Sequence, residues 1–281
     1  MVLHYSPLRY PGGKTQFYNR VRDILNANCL NGCLFIEPFA GGAGVAVKLL
    51  INKQVSKIIL NDSDIRIYSF WHSILNNTEK FIHKIHEIQI SVEEWRRQKA
   101  LLEHSSDIFE RGFAAFYLNR TNRSGILSSN PIGGIKQDGK FKINCRFNKA
   151  DLIRRISKIA EHKEDILIFN LDASELITKM YKEPELCDGK DTFWFIDPPY
   201  YKKGKQLYLN HFSHSDHEAL RDTINEKLDS AKWILTYDVC DEISRLYKKN
   251  NSTIFSIRYS VETKRNAKEY MFYNNLIVND T

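Results

Sequence analysis

The sequence predicts an α/β fold built on a mostly parallel sheet, with an antiparallel pair of strands at its end. Short apolar runs alternate along the 281-residue chain with segments of helical spacing, and this alternation is typical of a parallel sheet covered by helices. Two apolar runs close the chain without a helix between them, which favours antiparallel pairing. With 42% hydrophobic residues, the chain can bury a substantial core, and its length suits one large domain or two small ones.

The apolar runs define the strands, and their spacing defines the helices. The predicted strands are Leu34–Glu37, Lys57–Asn61, Ile166–Phe169, Thr192–Asp197, Lys232–Tyr237, Thr253–Ser260 and Tyr270–Val278. The predicted helices of the sheet domain are Thr15–Asn28, Val45–Asn52, Ser215–Leu228 and Asp241–Lys248. Residues 64–165 are predicted to be helical or irregular, and we interpret them as an inserted recognition subdomain. Residues 1–63 and 166–281 then form the sheet domain.

The positive charge is concentrated in one segment. The whole chain has a formal net charge of +7. Residues 111–158 contain eleven basic residues and two acidic ones, a net +9, so the remainder carries −2. The centre of this segment, residues 121–148, lacks apolar periodicity and predicts a long loop or irregular hairpin. Long ordered loops are usually functional, and one-sided charge mixed with Asn, Arg and Phe favours a polyanionic partner over a plain solvated surface.

The remaining composition favours a cytoplasmic protein without a metal site. The five cysteines form no CxxC pair, so neither a disulfide framework nor a structural zinc site is indicated. His211, His214 and His217 lie close together, but the surrounding residues indicate a capped helix start, and we expect no metal there. No apolar run approaches about 18 residues, and the first residues lack the order of a signal peptide. We therefore expect no membrane segment.

A glycine-rich turn follows the first predicted strand. Residues 41–44 contain three glycines and lead into a predicted helix. Glycine lets a ligand approach the backbone closely, and a helix start offers free N–H groups. Asp62 stands 18 residues beyond Gly44, directly after the second strand. At that position a carboxylate can accept hydrogen bonds from both hydroxyl groups of a ribose. The two features predict a nucleotide-type pocket. Val47 stands where a dinucleotide-binding fingerprint has glycine or alanine, which disfavours a dinucleotide oxidoreductase.

A second glycine turn precedes the first helix, in Pro11-Gly12-Gly13-Lys14-Thr15. It resembles the end of a phosphate loop, but the Walker pattern needs a glycine at position 8, which is leucine. An NTPase is therefore disfavoured. A turn before a capped helix accounts for the glycines but not for the neighbouring Tyr10 and Lys14.

The most specific pattern is Asp197-Pro198-Pro199-Tyr200, directly after a buried strand. In open α/β folds, ligands bind at the carboxyl ends of the strands. Two prolines fix the backbone and remove N–H donors. The Asp197 carboxylate and the Pro198 carbonyl can then accept hydrogen bonds from a planar aminated ring stacked on Tyr200.

These motifs, in this order, resemble the DNA adenine methylase (Dam-like, D12 class) family of S-adenosylmethionine-dependent N6-adenine DNA methyltransferases. The resemblance covers about residues 10–247. It implies a Rossmann-like seven-stranded methyltransferase sheet with an inserted helical or hairpin target-recognition subdomain. It also implies S-adenosyl-L-methionine as cofactor and methylation of a flipped-out adenine in double-stranded DNA.

The resemblance assigns roles to individual residues. The catalytic residues implied are Asp197, Pro198, Pro199 and Tyr200. The cofactor-binding residues implied are Tyr10, Gly13, Lys14, Glu37, Phe39, Gly41, Gly44, Asp62 and Asp172. Asp172 is equally explained as the N-cap of the next helix. The start and end of the recognition hairpin, together with the basic loop, supply the candidate DNA-binding residues Arg120, Asn122, Arg123, Lys136, Lys140, Arg146, Asn148 and Lys149.

Several alternatives remain open at this level. The same chemistry could act on cytosine N4, on RNA or on a protein amide, and a catalytically silent DNA-binding regulator is a further possibility. Cytosine carbon methylation is disfavoured because no cysteine follows a proline. We expect a prokaryotic or phage-encoded monomer or weak dimer, acting alone or with a cognate restriction endonuclease.

Overall fold

The protein was examined as a computed structural model, which describes residues 5–9, 14–187, 191–202, 212–259 and 265–279. The strands form one seven-stranded sheet in the order β3-β2-β1-β4-β5-β7-β6. The first five pair in parallel, and β7 runs antiparallel to both β5 and β6. The strands are β1 (Leu34–Glu37), β2 (Lys57–Asn61), β3 (Ile166–Phe169), β4 (Thr192–Ile196), β5 (Lys232–Asp238), β6 (Asn251–Tyr259) and β7 (Arg265–Asn274). The predicted α/β class, the parallel sheet and its antiparallel end are confirmed.

Helices cover both faces of the sheet. In the described residues they are α1 (Tyr18–Ala27), α2 (Gly44–Ile51), α3 (Ile65–Asn76), α4 (Thr78–Glu87), α5 (Val92–His104), α6 (Ile108–Thr121), α7 (Lys149–Ala160), α8 (Ala173–Lys182), α9 (His214–Lys227) and α10 (Asp241–Leu246). A 3₁₀ turn, Lys14–Phe17, leads into α1. Side-chain oxygens cap several helix starts: Ser91 accepts from the N–H of Glu94 at α5, and Asp107 accepts from the N–H of Glu110 at α6.

The core lies in two layers, because alternate residues of a strand face opposite sides of the sheet. One layer joins Phe35, Phe193 and Ile234 to α1, α2 and the helices α3–α7. The other joins Ile36 and Trp194 to α8, α9 and α10. The inserted segment 64–165 therefore packs onto one face of the sheet and shares its core. Within this segment, Gly112 lets α6 pack closely on α3, since a Cβ there would lie 2.2 Å from the carbonyl oxygen of Ser69.

The last strand, β7, differs from its predicted bounds. The sequence predicts Tyr270–Val278, whereas β7 spans Arg265–Asn274. The apolar residues Leu276 and Val278 pack against the core without pairing, and so the apolar run overstates the strand. The polar start of β7 is a strand because it pairs with β6, a contact that local hydrophobicity does not encode.

Candidate active site and nucleic-acid interface

Acidic residues gather where the carboxyl ends of the parallel strands meet. Glu37 ends β1, Asp62 follows β2, Asp197 follows β4 and Asp238 ends β5. β1 and β4 are neighbours, and the chain order reverses between them, because β2 and β3 continue on one side and β5 on the other. Such a switch point opens a crevice outside the strand ends, which is the usual ligand position in open α/β sheets.

The glycine turn after β1 is held from two sides. Gly41 has φ 46° and Ala43 has φ 45°, both in the left-handed region that glycine adopts without steric cost. Trp71 of α3 donates its Nε1–H to the Gly41 carbonyl at 3.0 Å. Ser6 Oγ donates to the Gly42 carbonyl at 2.5 Å. The turn is therefore a fixed backbone surface at the mouth of the crevice.

Glu37 lies beneath this turn, where α2 begins at Gly44. Its Oε1 accepts from the N–H of Ala46 at 3.1 Å, so the carboxyl group meets the first turn of the helix. Burial raises the pKa of Glu37 to about 8, and the Ala46 N–H opposes that rise. A group that titrates near neutrality at a ligand crevice is typical of a functional site.

Asp62 joins the β2 end to the glycine turn. Its Oδ2 accepts from the N–H of Gly41 at 2.9 Å, and its Oδ1 accepts from the N–H of Asp64 at 2.9 Å. Burial raises the pKa of Asp62 to about 7, while the two N–H groups lower it. The carboxylate thus ties the end of β2 to the glycine turn that follows β1.

Asn61 was missed by sequence reasoning, yet it connects the loops that follow β1, β2 and β3. Its Nδ2 donates to the carbonyls of Pro38 at 2.9 Å and Leu171 at 3.0 Å, and its Oδ1 accepts from the N–H of Leu171 at 3.0 Å. The side chain is buried. Its position just before Asp62, at the end of a buried strand, was the available signal.

The other predicted cofactor-binding residues either contact neighbouring side chains or lie outside the described residues. Asp172 caps α8 through a capping box with Glu175, which agrees with its alternative interpretation. Phe39 packs edge-on against Phe212, with ring centroids 5.8 Å apart. Tyr10 and Gly13 lie outside the described residues.

The donor set at this edge fits a small cofactor that carries a ribose and a positive charge. Asp62 offers a carboxylate for hydroxyl groups, and the left-handed turn at Gly41 exposes backbone for close approach. Asp197 adds a second carboxylate near the same crevice, and the buried carboxyl group of Glu37 lies at the end of the neighbouring strand. Among the described residues, no group of three His, Cys, Asp or Glu side chains is placed to hold a metal ion.

Asp197-Pro198-Pro199-Tyr200 turns away from the end of β4 beside this pocket. Thr236 of β5 donates to Asp197 Oδ1 at 2.5 Å. Pro198 and Tyr200 are buried, and Pro199 is partly buried. Neither proline can donate a backbone N–H, so their carbonyl groups are the only backbone polar groups that the two prolines offer. Thr236 was missed because its strand was predicted from apolar residues alone.

Lys14 lies beside Asp197 in this crevice. Its Nζ donates to Asp197 Oδ1 at 2.7 Å and also to the Tyr200 hydroxyl. It lies 3.4 Å from Glu269 Oε2 of β7, and it is buried. The family resemblance implies a cofactor-binding lysine at this position, and the structure brings Lys14 to the carboxylate of Asp197.

Asp238 secures the chain beyond the tetrapeptide. Its two carboxylate oxygens accept from the N–H groups of Tyr201 at 3.0 Å and Lys202 at 3.1 Å. Asp238 is buried at the end of β5. Sequence reasoning missed this residue, because the predicted strand ended one residue earlier.

Four of the predicted DNA-binding residues are exposed in or beside the basic loop: Arg123, Lys136, Lys140 and Arg146. The loop is irregular, as predicted, with an isolated bridge from Asn122 to Pro131. Gln137 organises it, because its Nε2 donates to the carbonyls of Ile132 and Gly134 and its Oε1 accepts from the N–H of Ile143. The loop therefore has a defined conformation that presents its basic side chains outward.

The other four predicted DNA-binding residues are engaged in the fold. Asn122 is completely buried, accepts from Trp95 Nε1 at 2.6 Å, and donates to the carbonyls of the following turn. Arg120 is also buried and donates through Nε to the Arg146 carbonyl at 2.8 Å. Burial lowers the pKa of Arg120 to about 9, with neighbouring guanidinium groups adding to the shift. Asn148 is exposed but caps α7, and Lys149 donates to the His86 carbonyl at 2.7 Å.

No helix in the described part of the chain is long and apolar enough to cross a membrane.

Comparison with known proteins agrees with the crevice and its motifs. The family model of the D12 class N6 adenine-specific DNA methyltransferases matches residues 10–267. The Type II methyltransferase M.MjaIII of Methanocaldococcus jannaschii is 23% identical over 295 aligned positions, covering 97% of this chain and 98% of the relative. Because the family model matches nearly the whole chain, including the glycine turn, the basic loop and Asp197–Tyr200, this protein belongs to the D12 class of N6 adenine-specific DNA methyltransferases.

Proposed function

We propose that this adenine DNA methyltransferase uses S-adenosyl-L-methionine and acts on an adenine flipped out of double-stranded DNA. The observation that carries the proposal is the adjacency of two features at one sheet edge: Asp197 follows β4, and the glycine turn follows the neighbouring strand β1. When bound, the cofactor supplies an electrophilic methyl group. Glu37, Asp62, Lys14 and the turn at Gly41 would hold it.

The protein residues orient the adenine amino group. The lone pair of that nitrogen is delocalised into the ring, so the amino group is a poor nucleophile. Hydrogen bonds accepted by the Asp197 carboxylate and the Pro198 carbonyl draw the nitrogen toward tetrahedral geometry and stabilise the charge that develops on it. The Tyr200 ring provides a stacking face, which offsets part of the few kcal/mol needed to unstack the base.

The inserted segment 64–165 would form the DNA-binding subdomain. Its exposed basic residues, Lys136, Lys140 and Arg146, are suited to phosphate contacts, and Arg123 is suited to a base edge in the major groove. The relative is named a Type II methyltransferase, and we propose the same class for this chain, with a cognate restriction endonuclease as its expected partner.

The substitution Asp197→Ala tests the catalytic assignment. We expect the variant to bind DNA and S-adenosylhomocysteine like the wild type but to lose transfer of tritiated methyl groups to unmethylated plasmid DNA. The matched control is Asp23→Ala, which removes an exposed carboxylate from α1. Methylation by the Asp197→Ala variant at the wild-type rate would contradict the mechanism.

A further inference from the structure

The last strand delivers a buried carboxylate to the catalytic crevice. Glu269 of β7 is fully buried, and it pairs in register with Asp238 at the end of β5. Because residues two apart on a strand share a face, Glu269 lies on the same side of the sheet as Met271, which packs in the layer that contains α1. The 3₁₀ turn that carries Lys14 leads into that helix.

Glu269 contacts two residues of the crevice at once. Its Oε1 accepts from the Tyr200 hydroxyl at 2.7 Å. Its Oε2 lies 3.4 Å from Lys14 Nζ. Lys14 Nζ also lies 4.7 Å from the centroid of the Tyr200 ring. Three distant parts of the chain therefore meet around one ammonium group.

Two carboxylates lie close to the single ammonium group of Lys14. A buried ammonium is costly unless it is paired and hydrogen-bonded. Lys14 is shared between Asp197 Oδ1 at 2.7 Å and Glu269 Oε2 at 3.4 Å. Without the Glu269 charge, Asp197 would be the one of these two carboxylates left to pair with the Lys14 ammonium. The ammonium would then compete more strongly with the target amino group for the Asp197 carboxylate.

We propose that Glu269 is a positioning residue of the methyltransferase: it holds the Tyr200 hydroxyl and shares the Lys14 ammonium, so that the stacking ring and the Asp197 carboxylate stay in place for the target adenine. This inference rests on the proposed roles of Asp197 and Tyr200. Glu269 itself need not touch the substrate.

Two substitutions separate the two contacts of Glu269. Glu269→Gln keeps an acceptor for the Tyr200 hydroxyl but removes the charge that faces Lys14, and we expect kcat to fall about tenfold. Glu269→Ala removes both contacts, and we expect a fall of about a hundredfold, since hydrogen bonds to charged groups are stronger than those between neutral groups. KM for unmethylated plasmid DNA should change less than about threefold, because the loss acts on the geometry of the bound base.

A double-mutant comparison distinguishes positioning from a general loss of stability. Tyr200→Phe removes the hydroxyl that donates a hydrogen bond to Glu269, but it keeps the ring. If Glu269 acts partly through that hydroxyl, the combined Tyr200→Phe and Glu269→Ala variant should lose less activity than the two single losses predict together. Lys268→Ala, at the exposed neighbouring position of β7, is the matched control and should keep the wild-type kcat. Thermal unfolding of each variant identifies any that fail to fold.

The outcomes are distinguishable. A folded Glu269→Gln variant with wild-type kcat overturns the inference if Asp197→Ala is inactive in the same assay. Strictly additive losses for Tyr200→Phe and Glu269→Ala would also overturn it. An active Asp197→Ala variant would instead contradict the proposed catalytic mechanism. If kcat/KM falls in the Glu269→Gln and Glu269→Ala variants only because KM rises, Glu269 acts in binding and not in positioning.

Discussion

The protonation of the Asp62 carboxylate should affect both cofactor binding and folding stability. Burial in the fold raises the pKa of Asp62 to about 7. The neighbouring Asp64 adds to that rise, and Arg66 opposes it. A ribose hydroxyl is a donor, so the ionised carboxylate is the form that can accept from both hydroxyls. Cofactor binding should therefore favour the deprotonated state of Asp62.

The prediction is that S-adenosylhomocysteine binds more tightly as pH rises from 6 to 8. With a pKa near 7, about nine-tenths of Asp62 is protonated at pH 6 and about one-tenth at pH 8, so the apparent Kd should fall about tenfold. Isothermal titration calorimetry across this range measures it. In Asp62→Asn, affinity should be weaker and this part of the pH dependence should disappear. An unchanged pH profile in that variant would assign the titration to another group, such as Glu37, whose pKa is raised to about 8.

The same pKa shift fixes the sign of a stability effect. In the unfolded chain the pKa of Asp62 is about 4, whereas in the fold it is about 7. The folded state therefore binds more protons between these values, and the contribution of Asp62 to stability falls as pH rises through that window. Cofactor binding and folding stability thus respond to pH in opposite directions at this residue.

The sequence identifies site residues that follow an apolar run, but it does not identify those that reach the crevice through strand pairing. Asp62 and Asp197 were predictable because each directly follows a buried apolar run, and strand ends in parallel sheets converge. Thr236 and Glu269 reach the same crevice only through the pairing of β5 with β4 and β7. Long-range pairing of this kind leaves no local signal. Arg120 and Asn122 show the converse, because a basic, amide-rich stretch looks like a nucleic-acid surface while its side chains hold a turn.

At the scale of elements, the basic loop combines a fixed backbone with exposed side chains. Gly133 has φ 87°, and a Cβ there would lie 2.6 Å from the Phe141 carbonyl oxygen. Together with the Gln137 contacts, this close approach defines how the loop folds back on itself. A defined backbone allows one basic residue to meet a base edge while another meets only phosphate.

The prediction for this element is a difference between two exposed residues. Arg123→Ala should relax the sequence preference of methylation, because loss of a bidentate base contact costs about 1–3 kcal/mol of discrimination. Lys140→Ala should weaken DNA binding similarly at all sequences, as expected for a phosphate contact. Sequencing the methylated positions in plasmid DNA treated with each variant gives the comparison. Equal relaxation in the two variants would indicate that both residues act only through charge.

At the scale of the whole molecule, the net charge of +7 is the sum of two unlike regions. Residues 111–158 carry +9 and the rest −2. The acidic residues that face the crevice, Glu37, Asp62 and Asp197, belong to the second region. The separation suits a protein that binds the polyanion DNA on one surface and the proposed cationic cofactor in the crevice.

The salt dependence of DNA binding should therefore reside in the basic loop. For double-stranded DNA, each phosphate neutralised adds about −0.9 to the slope of log K against log salt concentration. Replacing Lys136, Lys140 and Arg146 together with Gln should reduce the magnitude of that slope by about 2.7, if each contacts one phosphate. Fluorescence anisotropy with a labelled duplex at several salt concentrations measures it. The charge-matched control replaces Lys163, Lys248 and Lys249, which are exposed outside the loop. A control that reduces the slope as much as the loop variant would show that DNA responds to the total charge of the protein, and the located +9 would then have no special part in binding.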